Sequence, residues 1–241
     1  MRWRLPFLAK ILLAVAAPAA AQSVTVTEEW VTETVTASRY VSPLQQHTEE
    51  AAIAAFGPFR VVDAHTVALV DVTDGASPAQ FAALLAQFPQ VDTLDFVEAP
   101  GTDDDRANLQ LGRMIRARGM ATRVADGGSI RSGAVELFLA GVSREIAPGS
   151  EFAVHGWLDD WGRGAEDYPA DAPEHRRYLD YYAEMGMDAG EARAFYAMTN
   201  SVPFEQARWL TGNEMRQWMQ DTSDAAQSPS LAYLDLGTLL Q

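Results

Sequence analysis

The stretch Ser132-Gly-Ala-Val-Glu-Leu-Phe-Leu-Ala-Gly141 decides the fold, together with Glu151-Phe-Ala-Val-His155-Gly-Trp157 that follows it. In the first stretch a serine opens a short apolar helix that Gly141 ends, and in the second His155 ends a strand. A serine nucleophile at the start of a helix needs a base close to it, and His155 follows Ser132 in the order that such a pair requires. The two stretches therefore predict a serine–histidine site.

Predicted strands and helices alternate on both sides of these stretches. Further strands are predicted over residues 67–70, 91–97 and 121–125, and residues 127–129 are predicted as a loop. A helix starts at Ser77-Pro78 and ends at Pro89, and others are predicted up to Gly119, within residues 173–199 and over residues 210–219. This alternation predicts an α/β fold, with a mainly parallel sheet covered by helices.

Three segments of the chain carry a family resemblance. Pro100-Gly101 precedes the helix that contains Leu111-Gly-Arg-Met-Ile-Arg-Ala-Arg-Gly119, Ser132 opens the next helix, and His155 ends the next strand. Over residues 67–211 this pattern resembles the ClpP/crotonase superfamily, in particular its periplasmic Clp-protease-like members. The resemblance implies a superhelix of ββα and βαβ units, a serine-peptidase type of activity, and assembly into a homo-oligomer.

The resemblance also implies the roles of individual residues. Ser132 would be the nucleophile and His155 its general base. The backbone N–H of Gly133 would be one oxyanion donor, and Gly101 or Thr102 would supply the other. The physical chemistry agrees, because the free N–H groups at a helix start favour a developing negative charge.

The third member of the triad is less clear from the sequence. Glu205 is the nearest acid in the region where the family has one, and Asp159 and Asp160 are alternatives after His155. The sequence departs from the family at Thr102, where a second turn glycine is expected, and at Asp103-Asp-Asp105. These carboxylates would oppose an oxyanion if they pointed inward, and the other interpretation is that they cap the next helix.

The N-terminus has the features of a secretory signal peptide. Arg2, Arg4 and Lys10 accompany a short apolar run, and Ala19-Ala-Ala21 offers a cleavage site. We therefore expect a periplasmic or secreted protein without stable membrane insertion after cleavage.

The predicted domain organisation has four parts. Residues 1–21 are the signal peptide, and residues 22–66 form an extended or strand region in which residues 43–56 also allow a short helix. The Clp-protease-like domain covers residues 67–221, and residues 222–241 form a C-terminal tail.

The composition excludes several kinds of function. The formal net charge of −15 becomes −18 without the three positive charges of the signal peptide, which argues against nucleic acid as a partner. The chain has no cysteine, and its one lysine is Lys10, so the mature chain has no thiolate chemistry, Ser-Lys dyad, Schiff base or P-loop. The spacing of the other histidines predicts no metal site, and we expect no cofactor.

The sequence therefore predicts an exported serine hydrolase, a peptidase, that acts on peptides or proteins through an acyl-enzyme. The alternative is a catalytically inactive Clp-protease-like binding or assembly module, which the altered turn and the unclear acid favour. Acyl-CoA chemistry is a third interpretation, and the exported location and the acidic, lysine-free chain argue against it.

Overall fold

Residues 42–219 form an eight-stranded, mostly parallel sheet packed against seven helices, and they are the residues that the computed structural model describes. The predicted mainly parallel α/β fold is thereby confirmed. The predicted signal peptide (residues 1–21) and tail (residues 222–241) lie outside the described residues. No helix within residues 42–219 is both long enough and apolar enough to cross a membrane.

The longest connection between the strands and α-helices covers residues 155–172 and contains a short 3₁₀ helix, Ala165–Asp167. The strands are β1 (Ala54–Phe56), β2 (Phe59–Val61), β3 (Thr66–Leu69), β4 (Thr93–Ala99), β5 (Ala121–Arg131), β6 (Ser143–Ile146), β7 (Glu151–Val154) and β8 (Arg208–Thr211). The helices are α1 (Pro43–Ala51), α2 (Ser77–Gln87), α3 (Asp105–Arg118), α4 (Ala134–Leu139), α5 (Pro173–Glu184), α6 (Ala189–Thr199) and α7 (Gly212–Met219).

The strand order in the sheet is β1-β2-β3-β4-β5-β7-β8. Strands β3, β4, β5 and β7 run parallel, whereas β1, β2 and β8 pair antiparallel at the two edges. Strand β5 has two successive partners on one side: Ala121–Val124 pair with β6, and Ser129–Arg131 pair with β7. Both partners are parallel to β5, so the strand ends of β5 and β7 lie at the same edge of the sheet.

An aromatic stack attaches α4 to the sheet. The ring of Phe138 lies edge-on to Phe96 of β4 at 5.2 Å and to Phe152 of β7 at 5.6 Å, and all three side chains are buried. Edge-to-face packing of this kind adds to the stability that burial itself supplies. The stack therefore fixes the helix that follows Ser132 relative to both neighbouring strands.

The structure corrects two of the predicted elements and adds β6. Residues 127–129, predicted as a loop, are part of the continuous strand β5. A Cβ atom on Gly128 would lie 2.7 Å from the Val124 side chain and 2.9 Å from the Phe96 carbonyl oxygen, so this glycine permits close packing within the sheet. Residues 210–219 were predicted as one helix, but residues 210 and 211 belong to β8 and the helix α7 starts at Gly212. Strand β6 was not predicted.

The described part of the predicted N-terminal region contributes to the same sheet. Residues 42–66 supply α1, β1 and β2, and the predicted domain boundary between residues 66 and 67 falls inside β3. Helix α1 begins at a serine cap, because the side chain of Ser42 accepts a hydrogen bond from the Gln45 N–H at 3.1 Å. The helical alternative for residues 43–56 thus describes their first part.

Candidate active site

Ser132 occupies a sharp turn between β5 and α4. Its φ of 49° is positive, and within residues 42–219 it is the one non-glycine residue with such a value. The left-handed region costs energy for an ordinary side chain, and strained residues of this kind concentrate at functional sites. Two backbone hydrogen bonds hold the turn, from Ser132 N–H to the Ala153 oxygen and from Val135 N–H to the Ser132 oxygen, both at 2.9 Å.

The turn after β4 lies directly against Ser132. Gly101 has a φ of 132°, and a Cβ atom added there would lie 2.9 Å from the Ser132 Cβ. A side chain at this position would therefore be strained and would also displace the serine. The structure thus brings together the two turns that the sequence predicted to form one site.

A buried polar network joins these two turns. Asn108 of α3 donates from Nδ2 to the Gly133 oxygen at 2.6 Å and accepts from the Thr73 hydroxyl at 3.0 Å. The Thr73 N–H donates in turn to the Gly101 oxygen at 3.0 Å. Both polar side chains are almost completely buried, so their hydrogen bonds have little competition from water. The network fixes the spacing between the Gly101 turn and the Ser132 turn.

Sequence reasoning missed Thr73 and Asn108. A usable signal existed for Asn108, because it precedes Leu111 and Ile115 by three and seven residues, and those two residues lie on the buried face of α3. An asparagine on an apolar helical face needs a polar partner in the core. The sequence does not show which partner that is.

Two backbone N–H groups near Ser132 have no partner in the described part of the chain. Neither Gly133 N–H nor Thr102 N–H donates a hydrogen bond to another atom of residues 42–219. The two residues lie close together, because a Cβ atom on Gly133 would be 2.6 Å from Thr102 Cγ2. Free N–H groups beside a serine are the chemistry that an oxyanion site requires.

The three aspartates of the acidic turn, Asp103, Asp104 and Asp105, have different environments. Asp104 caps α3, accepting from the Ala107 N–H at 3.0 Å. Asp105 accepts from the Tyr178 hydroxyl at 2.6 Å, and Asp103 is exposed. The capping interpretation therefore holds for Asp104.

His155 follows β7 and lines the same cleft as Ser132. Its Nδ1 atom lies 2.9 Å from the Gly156 carbonyl oxygen, and its ring packs edge-on against Phe204 at 4.7 Å. A carbonyl oxygen can only accept, so Nδ1 carries the proton and Nε2 is the basic nitrogen. Among the described residues no hydrogen bond joins His155 to Ser132, and such bonds often shorten only when substrate binds.

None of the three candidate acids contacts the His155 ring through a hydrogen bond in the described part of the chain. Glu205 is exposed and does not line the cleft, whereas Asp159 and Asp160 both line it. Burial acts against ionisation of Asp159, but hydrogen bonds from Tyr168, Arg163 and the backbone hold its pKa well below the usual value. Asp159 is thus an ionised carboxylate engaged by other groups, and the third member of the triad stays a prediction.

The cleft has a volume of about 660 Å³. Trp157 and Tyr178 stack along one wall with ring centroids 6.2 Å apart, and Trp157 Nε1 donates to the Tyr196 hydroxyl at 2.8 Å. Trp161 also lines the cleft but is 77% exposed. Aromatic side chains therefore form one wall of the cleft that Ser132 lines.

One buried acid of the cleft was not named from the sequence. Glu136 of α4 is 8% exposed, and burial raises its pKa to about 7. Its Oε1 atom accepts from the Tyr182 hydroxyl at 2.8 Å. The signal that could have found it is a lone acid among apolar residues in a short helix.

Within residues 42–219 no group of three or more potential ligands could hold a metal ion.

The geometry defines a class of protein: an α/β protein with a strained serine between a strand and a helix, and with a histidine that lines the same cleft. Similar solved structures are of the ClpP-like type that the sequence motifs resemble. ClpP1 from Listeria monocytogenes is 15% identical, with 65% of this chain and 88% of that chain covered and a TM-score of 0.44. A mutant of the same protein is 16% identical, with the same coverage of both chains and a TM-score of 0.46.

A mutant of the 1510-N membrane-bound stomatin-specific protease, in complex with a substrate peptide, is also similar. It is 15% identical, with 62% of this chain and 72% of that chain covered and a TM-score of 0.41. No protein-family model and no curated protein sequence matches the chain. These likenesses concern the fold, so function has to be argued from the residues of this chain.

Proposed function

We propose that the protein is an exported serine hydrolase, a peptidase, with Ser132 as nucleophile and His155 as general base. The observation that carries this proposal is the strained backbone of Ser132 at a strand–turn–helix junction. Such a turn presents a serine hydroxyl away from the chain around it, as nucleophilic serines require. The cleft that Ser132 shares with His155 supplies space for a substrate.

The proposed reaction uses groups of this chain alone. His155 Nε2 removes the proton from Ser132 Oγ, which attacks the carbonyl carbon of a peptide bond. The N–H of Gly133, with that of Thr102 or Gly101, stabilises the negative charge that forms on the carbonyl oxygen. The protonated His155 then gives its proton to the leaving amine, and water hydrolyses the acyl-enzyme by the same steps.

In this proposal the carbonyl of Gly156 orients the His155 ring, as the acid of a triad does. By accepting from Nδ1 it selects the tautomer in which Nε2 is the base. A carbonyl carries no full charge, so it stabilises a protonated imidazole less than a carboxylate does. A carboxylate from Glu205, Asp159 or Asp160 would have to approach Nδ1 to complete a triad.

Labelling with a fluorophosphonate probe tests this proposal. We expect the probe to react with Ser132 in the purified mature chain, and intact-protein and peptide mass spectrometry locates the adduct. Ser132→Ala should abolish labelling, and His155→Ala should slow it by on the order of 10⁴-fold. Ser143→Ala is the matched serine control, because Ser143 lies on β6 and does not line the cleft.

The second candidate function is a non-catalytic binding or assembly module. The absence of a carboxylate at His155 Nδ1 among residues 42–219 is the observation that favours it. An unlabelled wild-type chain would support this function. Thr102→Gly, which restores the turn of the family, would then have to remain unlabelled as well.

The proposal includes export to the periplasm or the medium, peptide or protein substrates, and a homo-oligomeric state. Arg2, Arg4 and Lys10 with Ala19-Ala-Ala21 support export. N-terminal mass spectrometry of protein from the native host should identify Gln22 as the first residue. Retention of Met1 in a membrane fraction would mean an anchor instead.

A further inference from the structure

Glu136 belongs to the first turn of α4, three residues after the helix cap Gly133. Ser132 lies just before this helix and has a positive φ. Ser132, Gly133 and Glu136 all line the cleft, so a substrate bound at Ser132 would share that cleft with the carboxyl group. No step of the proposed hydrolysis uses it.

The carboxyl group of Glu136 has no positively charged partner in the described part of the chain. Its side chain is more than nine-tenths buried, and the Tyr182 hydroxyl is the one side-chain donor to it among residues 42–219. The Tyr181 hydroxyl donates to the backbone oxygen of Glu136 and not to its carboxyl group. A carboxylate buried in this way is costly unless a cation or further donors reach it.

The charges along the cleft favour a cation as the missing partner. Three arginines line the cleft, and Arg163 is already paired with Asp159 at 2.7 Å. Arg177 lies over the Trp157 and Tyr178 rings. The carboxyl groups outnumber the arginines, and they are Asp103, Asp104, Asp105, Glu136, Asp159, Asp160 and Glu174.

We propose that Glu136 is a specificity-determining residue that binds the ammonium or guanidinium group of a lysine or arginine side chain next to the scissile bond. This inference rests on the proposed hydrolase function for the position of the substrate. The bound cation would pair with the Glu136 carboxylate, which otherwise has one side-chain donor. A site built around a buried polar group binds poorly any ligand that leaves this group without a partner.

Peptide binding to the Ser132→Ala variant tests the inference without requiring catalysis. The probes are acetyl-Ala-Ala-Lys-Ala-amide and the same peptide with norleucine, which differ only in the ammonium group. Isothermal titration calorimetry should give at least about tenfold tighter binding of the lysine peptide. In the Ser132→Ala/Glu136→Gln variant this preference should fall to within about twofold.

Two control variants separate Glu136 from the general acidity of the chain. Glu174→Gln removes a charge that also lines the cleft, and Glu145→Gln removes an exposed charge on β6 outside the cleft. Both should keep most of the preference for lysine. If Glu136→Gln fails to fold, judged by circular dichroism, Glu136→Asp replaces it and should reduce the preference by shortening the side chain.

The outcomes distinguish this inference from the proposed function. Equal binding of the two peptides, or a preference that survives Glu136→Gln, overturns the role of Glu136 even if the phosphonate labels Ser132. A preference that depends on Glu136 in a chain that takes no phosphonate supports the cation site and overturns the hydrolase. Tighter binding of norleucine would mean that Glu136 is protonated and that the cleft takes apolar side chains.

Discussion

The serine half and the histidine half of the cleft are built in different ways. Ser132 is held by backbone hydrogen bonds to β7 and α4, by close contact with Gly101 and by the buried side chain of Asn108. His155 contacts a neighbouring carbonyl and the ring of Phe204, which lies in a loop. Ser132 and the free N–H groups are thus held by several contacts, whereas His155 is oriented by weaker and more local ones.

The difference indicates where activity could be lost or gained. A strained, over-determined serine turn is costly to maintain, and such strain persists only where the surrounding structure supports it. His155 lacks a charged partner in the described part of the chain, so small movements of the loop that contains Phe204 would change its position. Changes to the serine half should therefore have larger effects than changes to the acids near the histidine.

Among changes to the residues that surround Ser132 and His155, the largest effect is expected for Gly101→Ala. The new Cβ would lie 2.9 Å from the Ser132 Cβ, and the backbone of the alanine would have to adopt a φ of 132°. We expect phosphonate labelling to fall by on the order of 10²–10³-fold, because both the serine and an oxyanion donor move. Gly127→Ala is the control: it has a positive φ of 80° with nothing within 4 Å of the new Cβ, and it should label normally.

Glu136→Gln should change how stability depends on pH. The pKa of Glu136 rises from 4.5 to about 7 on folding, so the folded chain binds more protons than the unfolded chain between these values. Its contribution to the free energy of unfolding is therefore lost as the pH rises from about 4.5 to about 7, by up to about 3 kcal/mol.

Urea unfolding at pH 5 and pH 8 measures this effect. Glutamine does not titrate, so the stability of Glu136→Gln relative to wild type should increase from pH 5 to pH 8. Glu145→Gln, on the exposed face of β6, should follow the wild-type profile. A difference between Glu136→Gln and wild type that does not change with pH would mean that this carboxyl group is not buried from water.

Asn108→Asp tests the link between the two turns. Aspartate keeps an acceptor for the Thr73 hydroxyl but cannot donate to the Gly133 oxygen as Asn108 does at 2.6 Å. Loss of this buried bond should lower the free energy of unfolding by about 1–3 kcal/mol and labelling of Ser132 by about tenfold. If labelling is unchanged while stability falls, Asn108 supports the fold but does not position the serine.

Glu205→Gln should have the smallest effect. The side chain is exposed and makes no hydrogen bond to His155 in the described structure, so the labelling rate should stay within about twofold of wild type. Asp160→Asn is the parallel test at the cleft. A loss of about 10²-fold or more in either variant would identify that residue as the third member of the triad and would remove the contrast between the two halves.

Much of the fold and part of the site could be predicted because their signals are local. The proline after Ser77, the glycine after α3 and the apolar run after Ser132 each mark an element boundary through short-range physics. The strands β6 and β8 have four residues each and carry weak periodic patterns, so tertiary pairing decides them.

The remaining parts of the site depend on contacts between distant residues. Asn108 meets the backbone of Gly133, 25 residues away, and Tyr182 meets Glu136, 46 residues away. Residue types and spacing do not show such contacts, because they arise from the way that α3 and α5 pack around α4. The side chain of His155 likewise faces a carbonyl that no motif indicates.

The bond between Ser132 N–H and the Ala153 oxygen has a consequence for the order of folding. From β1 to β5 each strand pairs with the next along the chain, so the sheet can grow by closing one connection at a time. The serine turn takes its final shape only when β7 has paired with the end of β5, since Ala153 belongs to β7. A chain that emerges from synthesis without β7 would already contain Ser132 but would not hold it in the strained conformation.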